Sequence, residues 1–293
     1  MNIGLIDVDS HNFPNLALMK ISAFHKIKGD QVEWWNGFKH YDIVYKSRIF
    51  TDQYSTDVDY CINADEIIKG GTGYDLQNVL PYEIEHQYPD YGLYNITERA
   101  YGFLTRGCPR HCPFCIVSEK EGNTHTVADL SEFWNCQPEI MVMDSNITAS
   151  KDCERLFEQL IASKAKINFE GGVDIRFMTE KKCDQLNRMN ISMLHFAWDN
   201  YEFETYEKFK RFRPLIDLDE RRLCAYVLTN FNTNHAQDLE RIYKLKELGI
   251  TPYVMIYDKH TAPQKTRLLQ RWCNNRFIFR AVERFEDYDK RKG

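Results

Sequence analysis

Three cysteines fall within eight residues, Cys108-Pro109-Arg110-His111-Cys112-Pro113-Phe114-Cys115, in a CxxxCxxC spacing. Thiolates are soft ligands suited to iron-sulfur clusters, and a loop of this spacing can wrap one face of an iron-sulfur cube. A 4Fe-4S cluster held by three thiolates keeps one iron open. An open iron can take a small molecule, as a catalytic zinc does at its vacant position, whereas four cysteines would leave a closed centre for electron transfer. A structural zinc site and unligated cysteines are the competing readings. Zinc loops pair two ligands with a second, distant pair, and only His111 and His125 stand nearby as substitutes. The other six cysteines, Cys61, Cys136, Cys153, Cys183, Cys224 and Cys273, are far apart in mostly apolar or helical surroundings. They are expected to be small buried hydrophobes, with no disulfide framework and no second cluster motif.

A loop with this task needs a rigid platform. Short apolar runs alternate with helical patterns from the start of the chain: strands at 3–8, 31–35 and 42–45, a helix at 16–27, and a further strand at 60–63 that would complete a small parallel sheet. Gly70-Gly71-Thr72-Gly73 reads as a turn, and residues 74–98, rich in Tyr and Pro, as a connection. Later strand signals lie at 101–105, 140–144, 167–170, 193–197, 224–228 and 253–257, with helical patterns between them. Helices are expected at 150–162, 180–188 and 236–248, the last closed by Gly249. Parallel β/α architectures gather chemistry at the carboxyl ends of their strands, and the cysteine loop follows the first strand of this second set.

The segment Gly102-Phe-Leu-Thr-Arg-Gly-Cys108-Pro-Arg-His-Cys112-Pro-Phe114-Cys115-Ile-Val resembles the signature of the radical S-adenosylmethionine enzymes, including the aromatic residue before the third cysteine. The resemblance covers roughly residues 98–275 as an α/β open (β/α)6 partial TIM barrel. Residues 1–90 resemble the Rossmann-like, cobalamin-binding-type domain that precedes the barrel in one large subgroup, and residues 276–293 form a C-terminal extension. The resemblance implies a cluster on Cys108, Cys112 and Cys115, with S-adenosylmethionine on the open iron through its amino and carboxylate groups. An electron from a reductant such as flavodoxin or ferredoxin would release methionine and a deoxyadenosyl radical that abstracts hydrogen from an unknown substrate.

Side chains at the strand ends would orient that cofactor. Phe114 is the candidate to pack near the adenine, with loop packing as its alternative. The family's second strand ends in a Gly-Gly-Glu-like stretch that contacts the methionine amino group. Here the sequence is Met143-Asp144-Ser145-Asn146, a departure that leaves Asp144 and Asn146 as the acceptors for an ammonium. Glu170-Gly171-Gly172-Val173-Asp174-Ile175-Arg176 follows the third strand and places two carboxylates, Asp174 among them, two glycines and an arginine where a small ligand's amino-acid moiety could be held. Arg176 could bind a carboxylate bidentately or simply pair with Asp174. Asp199 is read either as a ribose contact or as a helix N-cap, and Asn230 and Asp258 as pocket or cap residues. No catalytic residue is identified.

In the front region, Asp9-Ser10-His11-Asn12-Phe13-Pro14 touches the DxHxxG pattern that supplies a cobalt-ligating histidine in some cobalamin proteins, but Pro14 stands where the glycine belongs. Cobalamin is not expected, and loop polarity or capping by Asp9 or Ser10 is the plainer reading.

With 293 residues and 43% hydrophobic content, about two domains with ordinary cores are expected. No stretch approaches the roughly 18–20 apolar residues needed to span a bilayer, and the amino terminus runs straight into a strand. A cytoplasmic protein follows, in a compartment reducing enough for free thiols. The formal net charge of −5 argues against a general phosphate-binding surface, although local basic stretches such as Lys208–Arg213 and 276–292 leave nucleic acid open. Two further classes stand beside the enzyme: a non-catalytic iron-sulfur protein for electron transfer or sensing, and a zinc-stabilised nucleic-acid-binding protein.

Overall fold

The structure is a computed structural model that describes residues 1–11, 13–57 and 61–289. The chain opens with β1 (Asn2–Asp7), α1 (Leu16–Ile27), β2 (Gln31–Trp34), β3 (Tyr41–Ser47) and β4 (Ala64–Gly70). These strands form an all-parallel sheet in the order β2-β1-β3-β4. Asn15 caps α1 by accepting from the Leu18 N–H at 3.2 Å. One row of α1, Leu18 and Ile21, packs on Ile3 and Leu5 of β1. Another, Leu16 and Met19, joins the core of the second sheet, so α1 is shared by both layers.

The strand expected at 60–63 is displaced. Tyr60 lies outside the described residues, and β4 begins at Ala64. The reason is its edge position: Asp65, Glu66, Ile67, Ile68 and Lys69 are all exposed, and an edge strand needs no buried alternation for a sequence pattern to register. The connection at 74–98 holds a short helix, α2 (Tyr82–Glu85), and a 3-10 turn at Tyr91–Tyr94.

The remaining chain builds β5 (Arg99–Gly102), β6 (Thr105–Arg106), α3 (Val117–Glu121), β7 (His125–Thr126), β8 (Glu139–Val142), α4 (Cys153–Ser163) and β9 (Lys166–Phe169). It continues with α5 (Glu180–Arg188), β10 (Asn190–Ala197), α6 (Phe203–Phe212), β11 (Leu223–Thr229), α7 (His235–Glu247) and β12 (Thr251–Ile256). It ends with α8 (Gln264–Asn274) and α9 (Arg276–Ala281). Strands β5, β8, β9, β10, β11 and β12 lie side by side in chain order as one parallel sheet.

The helices bury apolar stripes against this sheet. Cys153, Leu156, Phe157 and Leu160 recur at helical spacing along α4 and share a core with Ile140, Ile167 and Ile191 of the strands. Helix α7 carries a capping box of Asn234 and Gln237, and Gly249 just beyond it adopts φ +65°. No helix among the described residues is long and apolar enough to cross a membrane.

The first strand of this sheet stops early, at Gly102, where any side chain would overlap the Phe133 ring. The backbone then turns, and the short β6 pairs antiparallel with β7. This two-stranded ribbon closes the base of the loop that carries the cysteines.

Candidate cofactor site

Residues 107–124 run out from one strand of the ribbon and back into the other. Gly107 has φ +82°, and a Cβ there would lie 2.5 Å from the Asn123 carbonyl oxygen, so only glycine serves at the loop entrance. The Cys108 N–H donates to the Gly122 carbonyl at 3.0 Å, and the Gly107 N–H to Glu121 at 2.9 Å. Glu121 also pairs with Arg106 at 2.9 Å. Within the loop the Cys115 N–H donates to the Cys112 carbonyl at 3.0 Å. Cys108 and Cys112 are half-buried and Cys115 is exposed, all as free thiols.

Asp144, just past the end of β8, fixes the start of this loop. Its carboxylate accepts from the Leu104 N–H at 2.9 Å and from the Thr105 N–H and hydroxyl at 2.5 Å each. It is 1% exposed, and burial pushes its acid up to about 6 against the pull of those donors. Asp144 therefore faces inward as a support, with both oxygens engaged.

The next strand ends supply a polar shell. Asn146 donates from Nδ2 to Cys108 Sγ at 3.4 Å, and its Oδ1 lies 3.0 Å from the Thr148 hydroxyl. Arg176 holds Asp174 in a bidentate pair at 2.7 and 2.8 Å. Its remaining nitrogen is 3.5 Å from Glu202, which lies at the same distance from Arg110 of the cysteine loop. Asp199 sits among Arg176, Arg241, Asp174 and Arg110, with burial raising its acid to about 6. Burial also raises the Cys112 thiol, opposed by Arg110 and Arg176. Phe114 meets Phe231 edge-on at 5.4 Å, and Phe231 meets Tyr257 at 4.8 Å.

The structure thus brings Cys108, Cys112, Asn146, Asp174, Arg176 and Asp199 into one neighbourhood and uses Asp144 beneath it. Asp199 is not a helix N-cap: α6 starts after Glu202, because the chain makes one more turn before the helix begins. Its position is held from behind by Arg241, fully buried, which donates to the Trp198, Asp199 and Leu228 carbonyls and pairs with Asp238 at 2.6 Å. Asn230 and Asp258 are not helix caps, since the helices that follow start after Asn234 and Pro263; they tie two strand-end loops together. Asn230 adopts φ +59° and donates to the Asp258 carbonyl at 2.9 Å, while the Asp258 carboxylate accepts from the His260 N–H and Thr261 hydroxyl. The glycine pair after β9 serves backbone packing: a Cβ on Gly171 would overlap the Asp144 carbonyl, and Gly172 has φ +78°.

Glu202, Thr148 and Arg241 were not singled out by sequence reasoning. Arg110 lay inside the cysteine motif, but its contact with Glu202 bridges distant loops. The Asp238/Arg241 spacing of three on a helix was the one legible signal for that pair.

Two cysteines depart from expectation. Cys61 and Cys136 are exposed, Cys136 in a left-handed turn at φ +64°. The other four are buried, and burial raises their thiols: Cys153 to about 12, Cys183 and Cys224 to about 11, and Cys273 as well. Such thiols are inert.

The donors of the loop fit an iron-sulfur cube. They are three free, accessible thiols on a clamped loop, one already meeting an amide N–H. No three His, Cys, Asp or Glu side chains among the described residues close on a single point as the ligands of one ion do, and a cube takes its thiolates one per iron. Cobalamin fits less well at the front sheet. His11 is exposed with φ +49°, and Asn12 lies outside the described residues. Asp9 is buried, accepting from the Ile49 and Phe50 N–H groups at 2.8 Å. A Cβ on Gly71 or Gly73 would overlap the Arg48 or Phe50 carbonyl, so those glycines already pack against the protein's own backbone.

No protein-family model matches the sequence, and no curated protein matches it. Among solved structures the chain is similar to the radical S-adenosylmethionine methyltransferase TsrM from Kitasatospora setae, which has cobalamin and a 4Fe-4S cluster bound. The TM-score is 0.65 at 10% identity, over 87% of this chain and 74% of that one. That structure's corrinoid gives no support to the expectation that cobalamin is absent here. At this identity the likeness is one of fold alone: an α/β protein built on parallel sheets.

Proposed function

We propose that this chain is a radical S-adenosylmethionine enzyme. Residues 1–90 would be its Rossmann-like front domain, 98–275 an open (β/α)6 partial TIM barrel, and 276–293 an extension. The observation that carries the proposal is the placement of three accessible thiols on a clamped loop at the carboxyl end of a parallel sheet whose strands follow chain order. Cys108, Cys112 and Cys115 would hold a 4Fe-4S cluster. Such a cluster supplies, with an electron from a flavodoxin or ferredoxin, the reductive cleavage of bound S-adenosylmethionine to methionine and a deoxyadenosyl radical that abstracts hydrogen from substrate.

The chain's own residues bind and orient. Asp144 fixes the loop to the end of β8. Arg176, preorganised by Asp174, would turn its remaining nitrogen from Glu202, 3.5 Å away, to a carboxylate, and Asp199 would offer an acceptor for ribose hydroxyls. Phe114, standing edge-on to Phe231, supplies an apolar wall for the adenine.

The substrate would lie on the face of the sheet away from the buried helices. There Met141, Asn168, His195 and Tyr226 are half-buried and Tyr253 and Met255 exposed. His195 stacks on Tyr226 at 5.3 Å and 5°, and burial lowers its pKa. We place the enzyme in the cytoplasm, where thiols stay reduced.

Anaerobic purification and reconstitution test the proposal. The expected result is a brown iron- and sulfide-containing protein that forms 5′-deoxyadenosine on addition of dithionite and S-adenosylmethionine. A protein holding zinc, or one holding iron and sulfide that forms no deoxyadenosine under these conditions, contradicts it.

A further inference from the structure

We infer that Asn146 is a positioning residue that donates an N–H···S hydrogen bond to the Cys108 thiolate and thereby raises the reduction potential of the cluster. The inference rests on the cluster reading above. Asn146 lies at the end of β8, on a different loop from the cysteines, and is 4% exposed. Its Nδ2 is 3.4 Å from Cys108 Sγ and 3.5 Å from Asp174 Oδ2, which matches two amide hydrogens to two acceptors.

The surrounding bonds fix which end of the amide faces the sulfur. Thr148, 1% exposed, accepts the Asp174 N–H at 3.1 Å, which leaves its single hydroxyl hydrogen to donate. Its nearest acceptor is Asn146 Oδ1 at 3.0 Å, with the Asp174 carbonyl farther away at 3.3 Å. Rotating the amide by half a turn would put its carbonyl oxygen against both the Cys108 sulfur and the Asp174 carboxylate, which repel it. Hydrogen-bond geometry therefore selects the donor orientation.

The sign of the effect follows from charge. Reduction adds one electron and increases the negative charge on the cluster and its thiolates. A donor aimed at one sulfur stabilises the reduced form more than the oxidised form, so the potential rises; hydrogen bonds to sulfur are one of the levers that set such potentials. A contact with S-adenosylmethionine would leave no such mark on the cofactor-free protein.

The test is a redox titration of the anaerobically reconstituted protein without S-adenosylmethionine, followed by visible absorbance and electron paramagnetic resonance. Asn146→Leu should move the potential to more negative values by a shift on the order of tenfold in the reduction equilibrium, about 59 mV for a one-electron couple. Asn146→Asp, which sets a carboxylate beside the sulfur, should move it further in the same direction. Thr148→Val, which frees the amide to rotate, should give a smaller shift of the same sign and covers the case in which Asn146→Leu fails to fold. Cluster-loaded variants that titrate at the wild-type potential overturn the role of Asn146 and leave the cluster reading intact. Wild-type protein that takes up no cluster overturns both.

Discussion

The carboxyl ends of the two parallel sheets are finished in opposite ways. At the front sheet the protein closes its own edge. Asp9 caps the chain after β3, Lys46 pairs with Asp57 at 2.5 Å, and Arg48 reaches the Ser55 carbonyl and Asp52. The glycines after β4 fold down on the Arg48 and Phe50 backbone. At the six-stranded sheet, Asp144 and Arg241 do comparable supporting work, but above them stand free thiols, a guanidinium held between Asp174 and Glu202, and the half-buried acid of Asp199. Both ends contain buried charge. Among the described residues, the second end gathers three thiols above a fixed base, whereas the first turns its buried charges onto its own backbone and ion pairs, and on the proposed reading that is what separates a cofactor site from a structural rim.

The largest effect that separates the two ends concerns the cysteines. Cys112→Ala should abolish both iron retention and deoxyadenosine formation, since two thiolates hold a cube poorly, while Cys153→Ala, deep in α4, should keep both. Loss of iron from the Cys153 variant would assign the ligands wrongly.

Next in size is Arg176→Ala. A lost hydrogen bond to a charged group costs about 1.5–3 kcal/mol, so affinity for S-adenosylmethionine should fall about 10-fold to 150-fold in titrations of the reconstituted protein. The melting temperature should fall too, because Asp174 loses its partner. Unchanged affinity with a lowered melting temperature would make the pair structural only.

Smaller still is the pH dependence of Asp199. Its native acid is raised to about 6 from an ordinary 3.8, with burial as the main cause. A raised native pKa gives stability that is fully present below the ordinary value and is lost as pH rises through about 6. Relative to wild type, Asp199→Asn should therefore be more favourable at pH 7.5 than at pH 4 by about 1–3 kcal/mol. Denaturant titrations of both proteins at the two pH values measure it, and a difference independent of pH would contradict the burial argument.

Smallest is the expected absence of an effect at the front sheet. Protein mixed with hydroxocobalamin should leave gel filtration without the corrinoid. A stoichiometric red complex weakened by His11→Ala would show that this end is open after all.

Much of this was legible in the residues. The strands and helices of the second sheet follow their hydrophobic periods closely, with α5 falling on its expected span, because each buries a stripe against a neighbour. Strand β4 was misplaced because an exposed edge carries no such stripe. The thiols announced themselves by spacing, whereas their supports did not. Asp144 and Asn146 were recognised as strand-end polar groups, but sequence carries no information on whether a carboxylate points into the loop beneath or the ligand above. Glu202 meets Arg110 and Arg176, and Thr148 meets Asp174, 26 residues or more away in the chain, a distance at which local pattern reasoning has no purchase.

The most direct measurement of the central claim is electron paramagnetic resonance of the dithionite-reduced, reconstituted protein before and after addition of S-adenosylmethionine. An iron left open by three thiolates should take the cofactor and change the cluster's spectrum, whereas S-adenosylhomocysteine, which keeps the amino and carboxylate groups but lacks the sulfonium, should yield no deoxyadenosine. A cluster spectrum that S-adenosylmethionine leaves untouched would mean a closed centre and would contradict the account.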